Sequence, residues 1–88
     1  MPEFRNDDAG YLRWLEENPY GFVLNCYSSP TPGYLKLHIV RCRHLRKGDQ
    51  ANPTIDYLKV CESTRREIEN WTRIRFGAEP DPCGHCNP

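Results

Sequence analysis

The chain has 88 residues, with twelve Lys and Arg against twelve Asp and Glu. At this length it is one domain, in a range where a single hydrophobic core supplies only ~3–5 kcal/mol and a staple such as a bound metal is commonly needed. No apolar run approaches the ~20 residues of a membrane helix, no apolar leader opens the chain, and five cysteines cannot all pair. These features point away from a membrane span and a disulfide-built secreted fold, and towards a reducing cytoplasm.

In chain order, residues 1–5 carry no pattern and are expected to be loose, apart from Phe4 as a packing staple. A helix is expected over about 8–17. Asp7 or Asp8 caps its free N–H groups, Tyr11, Leu12, Trp14 and Leu15 give it an apolar face, and Asn18-Pro19 ends it because the residue before proline avoids the α region. Trp14 reads as core. Residues 21–27 alternate, with Phe22, Leu24 and Cys26 on one side and Val23, Asn25 and Tyr27 on the other, as a strand does. The turn-forming S-S-P-T-P-G then leads by a hairpin into a second strand, 34–39, with Leu35, Leu37 and Ile39 opposed to Tyr34, Lys36 and His38. Cys26 reads as a small buried hydrophobe.

A polar loop over 45–53, carrying Arg46 and Lys47, precedes a third strand, 54–61, with Ile55, Tyr57 and Cys61 opposite Leu58 and Val60. Cys61 reads as a buried thiol. Thr64-Arg65-Arg66-Glu67 has the form of a capping box, opening a helix over 64–76 that stops at Gly77, with Ile68, Trp71 and Ile74 as its buried stripe. The fold class expected is therefore α+β: a small zinc-stabilised domain with a three-stranded antiparallel sheet and two helices, closed by a knuckle over 82–88.

The zinc expectation comes from spacing. Cys83 and Cys86 form a C-x-x-C pair, and His38 and Cys42 form an H-x-x-x-C pair. Zn²⁺ prefers four tetrahedral N and S ligands, and two short-spaced pairs let a single ion join distant parts of a small chain. A redox reading of C-x-x-C leaves His38 and Cys42 unexplained and lacks a βαβ context. One structural ion is expected, held by His38, Cys42, Cys83 and Cys86, with His44 and His85 as alternatives to His38. A strand running straight from His38 to Cys42 would separate them by ~13 Å, so the chain must fold over between Ile39 and Cys42 in a turn or short helical segment.

The order Y-L-K-L-H-I-V-R-C-R-H-L, polar loop, strand, S-T-R-R-E-I-E-N-W, P-C-G-H-C-N-P, over residues 34–88, resembles the Ada-type zinc-binding module. That module occurs in the bacterial DNA alkylation-repair protein Ada and as a zinc appendage of bacterial nucleases. The resemblance implies a zinc-stabilised fold with DNA affinity, in a bacterial or phage setting, as an accessory domain or partner of a nuclease. His38 stands where the Ada protein has its methyl-accepting cysteine, so the alkyl-transfer activity does not carry over.

Charge is unevenly spread although it sums to zero. Residues 34–76 are rich in Lys and Arg, Lys36 and Lys59 among them, while the remainder is acidic. A local basic surplus can steer a polyanion, so Arg41, Arg43, Arg46, Lys47, Arg65, Arg66 and Arg73 are candidate nucleic-acid contacts. The alternative is a protein-interaction module whose zinc only holds the fold, with Tyr20, Tyr27 and Tyr34 as contact residues. Catalysis is not expected: a site with four protein ligands leaves no position for water, and no nucleophile and base stand at a telling spacing.

Overall fold

A computed structural model of the chain describes residues 3–43, 45, 54, 55, 57–86 and 88. Among these, the elements run β1 (Glu3–Phe4), α1 (Asp8–Glu17), β2 (Phe22–Tyr27), β3 (Leu35–Ile39), β4 (Tyr57–Glu62), α2 (Arg65–Phe76) and β5 (Asp81–Pro82). The class is α+β with two helices, as expected, but the sheet is five-stranded in the order β1-β4-β2-β3-β5 rather than three-stranded. The three foreseen strands form its centre, all antiparallel, with Leu24 opposite both Leu37 and Val60. The two additions are edge strands of two residues each. Residues 1–5 are thus not wholly loose: Glu3 and Phe4 pair with Val60 and Lys59. β5 adds in parallel to the free edge of β3, Lys36 beside Asp81 and Leu37 beside Pro82. β4 is shorter than 54–61, because Thr54 and Ile55 form a turn. Thr54 instead clamps the start of α1, accepting the Asp7 N–H at 2.7 Å and donating its own N–H to Asp8 at 2.9 Å.

Strict alternation gives the sheet two different faces. Leu24, Cys26, Leu35, Leu37, Leu58 and Val60 share one face and bury against Ile68 and Trp71 of α2. Val23 and Cys61 share the other and bury against Tyr11 and Leu15 of α1. One helix lies on each side. Both helices are capped as their sequences dictate: the Asp7 carboxylate accepts from the Gly10 N–H and the Thr64 hydroxyl from the Glu67 N–H. Gly77 ends α2 in the left-handed region at φ 65°, where a side chain would be strained. Gly21, between α1 and β2, has a different reason: a Cβ there would lie 2.7 Å from Cη2 of Trp14.

Two buried stripes differ from expectation. Ile74 is 86% exposed, and Thr72, which is fully buried, replaces it in the stripe of α2. Leu12 is likewise half exposed. Each helix meets the sheet over a face narrower than its apolar residues span, and the position nearest the sheet is filled whatever its polarity.

Candidate metal centre

β3 ends at Ile39 and the chain turns at once. The Val40 N–H bonds to Gly21 O and the Cys42 N–H to Ile39 O, both at 3.0 Å, so the fold-over expected between Ile39 and Cys42 is present. It returns Cys42 to the side of the sheet on which His38 lies opposite Val23. The second pair arrives along the neighbouring edge. Pairing of β5 with β3 continues through the Cys83 N–H to Leu37 O bond at 2.8 Å, and residues 84–86 form a tight turn.

One ligand atom from each of His38, Cys42, Cys83 and Cys86 lies within 4.8 Å of the others. A tetrahedral ion with bonds of ~2.0–2.3 Å spaces its ligand atoms by ~3.3–3.8 Å, and Cys42 Sγ stands 3.9 Å from Cys83 Sγ. The four are placed to hold one metal ion. Three are buried and Cys86 is half-buried, so a single closed site joins the sheet to the chain's last turn.

The backbone is already arranged for thiolates. The His85 N–H points at Cys83 Sγ and the Ile39 N–H at Cys86 Sγ, each at 3.4 Å. Burial pushes the Cys83 thiol up, but N–H donors from His85 and Cys86 and the Cys42 thiol outweigh it and hold the group below its ordinary value. Cys86 moves the other way, pushed up to about 12 chiefly by burial, with the neighbouring sulfurs adding to the rise. Cys83 thus favours the anion, and the proton that Cys86 holds is released when a cation takes its place.

The remaining cysteines stand apart. Cys26 is buried on the α2 side, its Sγ 3.5 Å from Leu58 O, and burial pushes its thiol up to about 11. Burial raises Cys61 further still. Both are the apolar fillers their alternation implies. His85 is exposed and contributes its N–H to the cluster; His44 lies outside the described residues.

The candidate nucleic-acid residues are only partly gathered. Phe22 is opposite both Ile39 and Glu62, so the ends of β3 and β4 lie at the same end of the sheet. Exposed Arg41 and Arg43 follow β3 there, and exposed Arg65 and Arg66 open α2 there. Arg41 lies over the Tyr20 ring at 5.9 Å. Arg65 pairs with Glu69 at 2.8 Å and donates to the Pro88 carbonyl. Arg73 is two helical turns away and pairs with Glu79 at 3.1 Å. Arg46 and Lys47 lie outside the described residues. The positive surplus also shrinks: Lys59 is fully buried, and Lys36 is paired with Asp81 at 2.7 Å.

Asn25, Tyr57 and Lys59, which no motif or spacing in the sequence marks as a site, share a sheet face with His38 and line a cleft beside the metal centre. The available signal was the polar pair Asn25 and Lys59, standing in the same strand phase as Val23 and Cys61. Comparison of the chain with known protein families, with curated proteins and with solved structures finds no match. No helix among the described residues is long and apolar enough to cross a membrane.

Proposed function

We propose that the chain is a structural-zinc module that binds nucleic acid, with DNA as the favoured form, and serves as an accessory domain or partner of a nuclease. The observation that carries the metal half is the convergence of three sulfurs and one imidazole from two distant segments, already supplied with N–H donors. Three thiolates with one imidazole favour zinc over the hard, oxygen-seeking cations, and four protein ligands make the site structural. The ion's part is to fasten the last turn to the sheet.

The nucleic-acid half is supported by the placement of Arg41, Arg43, Arg65 and Arg66 at the sheet end where the ligand segment turns, and by the resemblance to the Ada-type module. Arg41 and Arg43 flank the ligand Cys42, so the ion would set their positions as well. A second reading, a protein-interaction module, draws on Tyr20 and Tyr27, which are 80% and 49% exposed.

Fluorescence anisotropy with a labelled DNA duplex, using zinc-loaded protein over a salt series, separates the two. The nucleic-acid reading expects binding at low salt, a steep fall with added salt through counterion release, and loss in the Arg41→Glu/Arg43→Glu double variant. Salt-insensitive binding, or binding that survives the double variant, overturns it.

A further inference from the structure

α1 covers only part of its sheet face. Beyond its contact with Val23 and Cys61, the same face continues through Asn25, Lys36, Tyr57 and Lys59 into a cleft of about 440 Å³. That volume is within the range of roughly 300–1,000 Å³ in which proteins hold small ligands. The rings of Tyr34 and Tyr57 form one wall, their centroids 6.3 Å apart, and Tyr27 stacks on the outer side of Tyr34 at 4.9 Å. Cys83, Gly84 and His85 of the metal-holding turn also line the cleft. The floor is pinned: Lys59 donates to Asn25 Oδ1 at 2.6 Å, and Asn25 Nδ2 donates to the Tyr34 hydroxyl at 3.0 Å.

The chemistry of these walls is selective. Flat aromatic faces stand beside an amide with fixed orientation, while Lys36 and His85 bring cationic or donor groups. No carboxylate is among the described lining residues; the nearby Asp81 pairs with Lys36 at 2.7 Å, an exposed pair that a phosphate reaching Lys36 would displace. An aromatic face, an amide for ring-edge hydrogen bonds and a cation for an anionic substituent together match a nucleobase carrying a phosphate. Base stacking on aromatic side chains is how unpaired strands are held, whereas the bases of a duplex are not free to enter a cleft.

We infer that this cleft takes one unpaired nucleotide of a nucleic-acid strand, its base against Tyr34 and Tyr57 and its phosphate towards Lys36 and His85. The inference rests on the nucleic-acid reading above and deepens it: the arginines at the sheet end hold the strand's backbone, and the cleft selects single-stranded over paired nucleic acid. The metal centre has a part in this, because the turn it fastens carries the wall formed by Gly84 and His85.

The test is anisotropy with zinc-loaded protein and three probes: a labelled single-stranded oligodeoxynucleotide, its duplex, and a labelled nucleoside monophosphate. Variants are Tyr57→Ala, Lys36→Gln and His85→Ala; His85 is exposed and Lys36 half-buried, so both keep the fold, which zinc content and melting temperature verify. The single strand is expected to bind several-fold tighter than the duplex, and Tyr57→Ala to weaken it about tenfold, as loss of one stacking platform does. Lys36→Gln and His85→Ala weaken it less, and Lys36→Gln flattens its salt dependence. Equal binding of single strand and duplex, unchanged in all three variants but lost in Arg41→Glu/Arg43→Glu, overturns the cleft while leaving the nucleic-acid reading standing. Binding of the mononucleotide as tight as that of the strand, lost in Tyr57→Ala, supports the cleft's ligand chemistry and overturns the strand as its source. No binding of any probe overturns both readings.

Discussion

Lys59 carries an amine into the middle of the sheet. It is fully buried, donates at 2.6 Å to Asn25, and lies 5.8 Å and 5.4 Å from the centroids of the Tyr11 and Tyr57 rings. Aromatic faces and a hydrogen-bond acceptor are the surroundings that make a buried lysine tolerable. Replacing it by methionine keeps the stem but leaves Asn25 Oδ1 without this donor, so Lys59→Met is expected to destabilise the fold by about 2 kcal/mol in urea denaturation. A loss below half that would mean that Lys59 contributes packing alone. In the sequence this residue counts as one more surface cation. Its phase in the strand was legible, beside Tyr57 and Cys61, but phase says only which residues share a face, not which face becomes covered. Ile74 is the converse case, an apolar residue at helical spacing from Ile68 and Trp71 that the packing leaves outside.

At the scale of the element, α2 tests how far local chemistry goes. Thr64 accepts from the Glu67 N–H, and its hydroxyl donates back to the Glu67 carboxylate at 2.7 Å. That bond from Thr64, with others from Ser63 and the Thr64 backbone outweighing a small burial cost, holds the Glu67 carboxyl below its usual range. Loss of the cap in Thr64→Ala should cost about 1 kcal/mol. Because the folded value is lowered, the carboxylate's contribution is fully present above the unfolded-state range and is lost as pH falls through the folded value. Neighbouring Glu62 is shifted upward, first by burial and then by the charge of Glu67, which opposes the trend. Denaturation across the acid range should give a shallower loss of stability in Glu67→Gln than in the parent chain; an unchanged slope would refute the assignment. Caps and central strands were readable from the sequence because each is a local pattern. The edge strands were not, since two residues cannot display an alternation and Glu3–Phe4 and Asp81–Pro82 are strands only through their neighbours.

For the molecule as a whole, the candidate metal centre joins segments about forty residues apart in the chain. A closed cluster linking the sheet to the last turn adds its binding free energy to folding. An ion at ~1,000 times its dissociation constant contributes about 4 kcal/mol, so chelation should lower the melting temperature by roughly 15–30 °C for a domain of this size. Cys83→Ser should do the same without chelator, and a melting temperature indifferent to both would remove the structural role. Acidification should release the ion as the sulfurs regain protons, which a colorimetric chelator reads directly. The sequence by itself marked both ligand pairs through their spacing, with His44 and His85 open as alternatives to His38; the fold brings His38, Cys42, Cys83 and Cys86 together. The sequence also determined the helices with their caps, and the three central strands through alternation. Only the tertiary structure decided that Asp81–Pro82, leading into the metal-holding turn, would run parallel to β3 as a fifth strand, that α1 and α2 would take opposite faces, and that Asn25, Tyr57 and Lys59 would meet the metal turn around one cleft. These are contacts between residues far apart in the chain, fixed by which faces can be buried together, and no local pattern encodes them.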